Sequence, residues 1–87
     1  MFTYTSKEIA EISSAWNMGD RGLAMVRAKS RILGYLQLAG VPQKIAQAAL
    51  TRVEGAGADT DISLSRFLKV TREIAEVTEQ ACRAGQL

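Results

Sequence analysis

Histidine is absent from this 87-residue chain, and cysteine and proline occur once each. Without histidine, Ser–His and Cys–His nucleophile pairs, histidine metal sites and histidine pH switches are excluded. The single cysteine, Cys82, has no partner for an internal disulfide, which is typical of the reducing cytoplasm. No long apolar stretch suggests a membrane span or a signal-peptide core. We therefore expect a cytoplasmic protein that is not an enzyme and holds no cofactor or metal.

The composition predicts one small globular domain over residues 1–87. Apolar residues make up 47% of the chain and charged residues 23%, a balance typical of folded rather than disordered proteins. A chain of this length buries only about 60–65% of the surface that its unfolded form exposes, so its core is thin. The net charge of +2 is compatible with an acidic protein or a nucleic acid as partner and requires neither.

The most informative stretch runs over residues 23–39 and predicts a central helix. At 100° per residue its apolar side chains cover an arc of about 200°, whereas a surface helix needs little more than 100°. We therefore expect this helix to be packed on two or three sides. The apolar positions are Ala24, Met25, Val26, Ala28, Ile32, Leu33, Tyr35, Leu36 and Ala39.

The first helix is predicted over residues 6–18. Thr5 and Glu8 have the T-x-x-E spacing of a capping box, in which each side chain binds the backbone amide of the other residue. Gly19 then ends the helix, because glycine adopts the left-handed conformation of a helix C-terminus without strain.

The second helix is predicted over residues 20–39, with Asp20 as its N-cap and Gly40 after its end. The chain's one proline, Pro42, is suited to the first position of a helix, and a third helix is predicted over residues 42–53.

Residues 54–61 (EGAGADTD) are predicted to form a flexible, glycine-rich loop. A fourth helix follows over residues 63–84, with an apolar half and a charged half. The predicted fold is all-α: a four-helix array with two long helices (20–39 and 63–84) and two shorter ones (6–18 and 42–53).

Four basic residues fall within eleven positions of the central helix: Arg21, Arg27, Lys29 and Arg31. Arg27 and Arg31 lie one turn apart and have no acidic residue three or four positions away. An arginine pair without a local counter-charge is suited to phosphates or to a partner's carboxylates. The alternative is that glutamates of other helices neutralise them, or that they are simply solvated.

A helix-turn-helix is a further hypothesis for the first two helices. The segment 7–11 (KEIAE) resembles the opening helix of the helix-turn-helix in LuxR-type regulators, and 31–33 (RIL) resembles part of their reading helix. The spacing between the two segments is about five residues longer than in that family, and the reading helix would be mostly apolar, whereas such helices present polar side chains to DNA bases. A family is not identified by these segments.

The preferred hypothesis is a small helical module that binds another protein and regulates, inhibits or adapts it. Two long helices with broad apolar faces favour burial of some surface between chains, in a homodimer or against another protein. The expected partner-binding residues are Arg21, Arg27, Lys29, Arg31 and Trp16, where the N-terminal aromatics either anchor a partner or cap the core. An accessory factor of a phage or mobile element would fit this profile. The alternative is a small DNA-binding regulator of helix-turn-helix type.

Overall fold

The computed structural model describes residues 1–85, and this part of the chain forms four α-helices and no strand. The all-α, four-helix prediction is therefore confirmed. Among these four helices, none combines the length and apolarity needed to cross a bilayer. The helices are α1 (Ser6–Asn17), α2 (Arg21–Leu38), α3 (Gln43–Ala58) and α4 (Leu64–Arg83).

Three of the four helices begin at a side-chain cap. Thr5 accepts a hydrogen bond from the amide of Glu8 at 3.1 Å, and the Glu8 carboxylate accepts one from the amide of Thr5 at 2.7 Å. Asp20 accepts from the amide of Leu23, and Ser63 caps α4 in the same way. These caps satisfy amides that lack intrahelical acceptors, so the sequence located the starts of α1, α2 and α4.

Glycine ends α1 and α2 in the same manner. Gly19 and Gly40 have φ values of 81° and 80°. The amides of Asp20 and Val41, one residue further on, bind carbonyls in the last turn of the preceding helix at 2.9 and 3.0 Å. This is the Schellman arrangement, in which glycine avoids the steric cost of a Cβ at positive φ.

Helix α2 is the centre of the fold, as predicted, because it packs against α1, α3 and α4, while α1 and α3 share no contacts with each other. Its fully buried side chains follow one stripe at four-residue spacing: Ala24, Ala28, Ile32 and Leu36. The predicted apolar arc was too wide, since Val26 is 60% exposed.

The predicted loop at 54–61 is wrong, and so is the prediction that α3 is short. Helix α3 continues through Gly55 and Gly57 to Ala58. Each glycine costs a helix about 1 kcal/mol relative to alanine, and at Gly57 tertiary contacts offset this cost. Gly57 is buried where a Cβ would overlap the side chain of Met25. The connection to α4 therefore shortens from the predicted residues 54–61 to residues 59–63.

Candidate functional site

Arg21 binds the end of α3. Its Nη1 donates to the carbonyl oxygens of Gly57 at 3.3 Å and Asp59 at 2.7 Å. The last carbonyls of a helix have no intrahelical donors and carry partial negative charge. The half-buried guanidinium therefore stabilises the C-terminus of α3, a role that the sequence reasoning missed because it ended this helix at residue 53.

Trp16 is a half-buried side chain that joins three helices. Its ring centroid lies 5.0 Å from that of Phe67 on α4, and the Arg21 guanidinium carbon lies 3.9 Å from the centre of the indole ring. A cation over an indole face is an attractive arrangement. Trp16 and Arg21 thus both have partners within the fold.

Arg31 finds its counter-charge on α1. Its Nε lies 2.6 Å from the carboxylate of Glu8, and its Nη2 donates to the carbonyl oxygen of Thr3 at 3.2 Å. Glu8 therefore caps α1 with one oxygen and pairs with Arg31 through the other. The guanidinium also lies 4.7 Å from the ring centre of Phe2, which is fully buried.

Arg27 and Lys29 point in different directions from α2. Arg27 donates to the carbonyl oxygen of Glu11 on α1 at 3.1 Å, whereas Lys29 forms an ion pair with Glu54 on α3. Two residues along a helix correspond to a rotation of about 200°. The four basic residues consequently do not form one patch: Arg27 and Arg31 lie towards α1, and the other two lie towards α3.

A groove of about 680 Å³ lies beside α2, on the side of α1. Its α1 wall carries Glu8, Glu11 and Ile12. Arg27 and Arg31 of α2 also line the groove, and both side chains extend towards α1. Of the five predicted site residues, the groove therefore brings together two.

The side of α2 that faces away from the core also borders the groove, and we call it the outer face: Val26, Ser30, Gly34 and Leu38. These four positions carry no charge, although Val26 is 60% and Leu38 92% exposed. Helix α4, by contrast, carries the ion pairs Arg72–Glu76 and Arg83–Glu79. The outer face is a candidate contact surface because it is uncharged, carries two exposed aliphatic side chains and borders a groove.

The sequence contained the signal for this face, but the helical wheel placed it differently. Val26 fell inside the predicted buried arc, whereas Ser30, Gly34 and Leu38 fell outside it. The actual buried stripe lies further round the helix because α1, not solvent, covers the sector of Arg27 and Arg31. Val26 and Leu38 are therefore the residues that sequence reasoning missed.

The polar groups in the core already have partners within the fold. Tyr35 donates a hydrogen bond to the buried Glu79, and this bond raises the pKa of the Tyr35 phenol. Thr78 accepts a hydrogen bond from Arg52 at 3.1 Å. Over residues 1–85, no group of three or more metal-ligating side chains is brought together.

Comparison of the chain with protein-family models, with curated proteins and with solved structures finds no match. The function is therefore argued from the residues of the groove and the outer face.

Proposed function

We propose that this chain is a small, non-enzymatic protein-binding module that engages a helix of its partner on the outer face of α2. In binding, it regulates, inhibits or adapts that partner in the cytoplasm. The observation that carries the proposal is the exposure of Val26 and Leu38, at 60% and 92%, on one uncharged helix face beside a groove.

The shape of the outer face suits a helix. Val26 and Leu38 lie near its two ends, and the small residues Ser30 and Gly34 lie between them. A Cβ built at Gly34 would meet nothing within 4 Å, so a second backbone can approach closely there. Amphipathic helices bind apolar grooves in this way, with anchors spaced along one face.

The internal pairing of the basic residues also favours a protein partner over DNA. Arg21, Lys29 and Arg31 are engaged by α3 and α1, so their attraction for phosphates is reduced. We therefore rank the DNA-binding regulator below the protein-binding module. Arg27 and Arg31 remain as charged positions on the groove wall, while Arg21 and Trp16 leave the proposed site.

Site-specific photo-crosslinking tests the proposal. A photoreactive amino acid is placed at Leu38, and in a second protein at Val77, which is 56% exposed on α4 and serves as the matched control. Both proteins are irradiated in extract of the source cells, and the products are identified by mass spectrometry. We expect a discrete crosslinked product from position 38, including any product with the chain itself, and only diffuse background from position 77.

Equal crosslinking from the two positions would contradict the assignment of the outer face. Both substitutions lie at exposed sites, where changes usually alter stability by less than about 0.5 kcal/mol. Circular dichroism of each variant checks that the fold is retained.

A further inference from the structure

We propose that the partner helix is α2 of a second copy, and that the two outer faces pack antiparallel about a two-fold axis. This axis passes the outer face at the level of Ile32, on the side of α2 opposite the buried Ile32 side chain. The inference rests on the proposed function, because it uses the same face, and it specifies the occupant. The groove then becomes part of an interface between two identical chains.

The order of residues along the outer face is symmetric in size about Ile32. Val26 and Leu38 lie six residues before and after it, and Ser30 and Gly34 lie two residues before and after it. An antiparallel pairing centred there sets each large aliphatic residue opposite a large one, and each small residue opposite a small one. A two-fold interface requires this self-complementarity, because the same patch serves both subunits.

The spacing also matches the commonest geometry of helix packing. Positions 26, 30, 34 and 38 form a single ridge of residues four apart. Two such ridges interdigitate at a crossing angle of about −50°, with axes about 8–10 Å apart. Close approach is needed only at the crossing point, where Ser30 and Gly34 lie. Towards the ends the helices diverge, and the larger Val26 and Leu38 fill the widening space.

The charges bordering the outer face favour a copy of this chain over a strongly charged partner. The edge on the α1 side carries Glu8, Glu11, Arg27 and Arg31, whose charges sum to zero. A two-fold axis across an antiparallel helix pair brings this edge of one copy beside the same edge of the other. Two neutral edges with alternating signs meet without net repulsion, whereas an acidic or basic helix would find no opposite charge to match.

The available area predicts a weak dimer. The accessible surface is 5136 Å², and a standard interface takes about 800 Å² from each partner, roughly one sixth of that total. Helix α2 is 18 residues long, and two crossing helices contact each other over only part of their length. We therefore expect an interface at the small end of the range and a dimer that dissociates on dilution.

Sedimentation velocity over a wide concentration range measures this equilibrium directly. The native chain is expected to shift from monomer to dimer as its concentration rises. Leu38→Glu places a charge in the interface and is expected to weaken dimerisation about tenfold or more. Val77→Glu adds the same charge on α4 and is expected to leave the equilibrium unchanged.

Disulfide trapping tests the antiparallel geometry. In a Cys82→Ser background, Ser30→Cys places thiols next to the two-fold axis. Leu38→Cys places them at opposite ends of the pair, where twelve residues of helix span about 18 Å. We expect Ser30→Cys to form the covalent dimer faster, although position 38 is the more exposed. Faster trapping at position 38 would overturn the antiparallel pairing.

The outcomes separate this inference from the proposed function. A native chain that stays monomeric at all concentrations would overturn the dimer. If position 38 then still crosslinks selectively to a different protein in extract, the binding function stands with another occupant. If it crosslinks to nothing, both proposals fail.

Discussion

The phenol oxygen of Tyr4 lies 2.7 Å from the hydroxyl oxygen of Thr71, a residue 67 positions away in the sequence. Thr71 has one hydroxyl proton, and its oxygen lies 2.8 Å from the carbonyl of Phe67, which can only accept. Tyr4 must therefore be the donor to Thr71. This bond fastens the segment before α1 to the middle of α4, with both side chains buried.

The N-terminal aromatics thus cap the core, one of the two alternatives that the sequence left open. Phe2 is fully buried and meets the rings of Tyr4 and Tyr35 edge-on, with centroids 5.0 Å apart in each pair. Such edge-to-face pairs add about 0.5–1.5 kcal/mol to the burial of the rings. The segment before the first helix is accordingly part of the folded domain.

Tyr4 is expected to make the fold sensitive to alkali. Burial raises the pKa of its phenol from 10.0 to about 12. Below pH 10 the phenol is neutral in both states; between pH 10 and 12 the unfolded chain ionises first, so the free energy of unfolding falls. At 1.36 kcal/mol per pKa unit, the loss approaches about 2–3 kcal/mol. Urea unfolding at several pH values measures it.

Tyr4→Phe is the matched variant for this measurement. At pH 8 it should cost about 1 kcal/mol through the lost hydrogen bond. Its stability should then fall less between pH 10 and 12 than that of the native chain. Ionisation of Tyr35 is common to both proteins and cancels in the difference. Parallel pH profiles would contradict the assignment to Tyr4.

The sequence predicted most of the fold because its signals there are local. The caps at Thr5 and Asp20 and the glycines at Gly19 and Gly40 act within a few residues of the helix ends that they set. The end of α3 could not be predicted in this way. It depends on contacts from α2, where Met25 packs against Gly57 and Arg21 binds two carbonyls.

The candidate site was harder to predict because it, too, depends on contacts between residues that are far apart in the sequence. Whether an arginine is available depends on distant residues: the counter-charge of Arg31 is Glu8, and that of Lys29 is Glu54. A helical wheel also cannot tell which neighbour covers which sector. The structure places Arg27 and Arg31 at the groove and the other three predicted residues away from it, while the exposed Val26 was placed in the core.

The two glycines of α3 are expected to respond oppositely to alanine. A Cβ at Gly55 would meet nothing within 4 Å, so Gly55→Ala should stabilise the fold by about 0.5–1 kcal/mol through helix propensity. At Gly57 the Cβ would overlap Met25 and lie 3.2 Å from the Phe67 ring. Overpacking costs about 1–3 kcal/mol, so Gly57→Ala should destabilise by about 1 kcal/mol. Urea unfolding of the two variants measures the difference. Equal stabilisation by both substitutions would contradict the close packing of α2 and α4 against Gly57.

Arg21 is expected to contribute to stability rather than to binding. Arg21→Ala removes two hydrogen bonds to carbonyls at the end of α3 and the cation above Trp16, and should cost about 1–3 kcal/mol. Arg66→Ala, an exposed arginine on α4, is the control and should change the free energy of unfolding by less than about 0.5 kcal/mol. Equal effects of the two substitutions would mean that the Arg21 contacts contribute nothing specific.

The pairing of basic residues leads to a prediction about nucleic acid. Fluorescence anisotropy of a random-sequence DNA duplex should stay flat when the native chain is added, at low and at physiological salt. The double variant Glu8→Gln, Glu54→Gln is the positive control, because it releases Arg31 and Lys29 from their ion pairs. Glutamine at position 8 can still form the capping box. This variant should gain weak binding that collapses as salt rises, because released counterions drive such association. Tight, steeply salt-dependent binding by the native chain would instead favour the DNA-binding regulator over the protein-binding module.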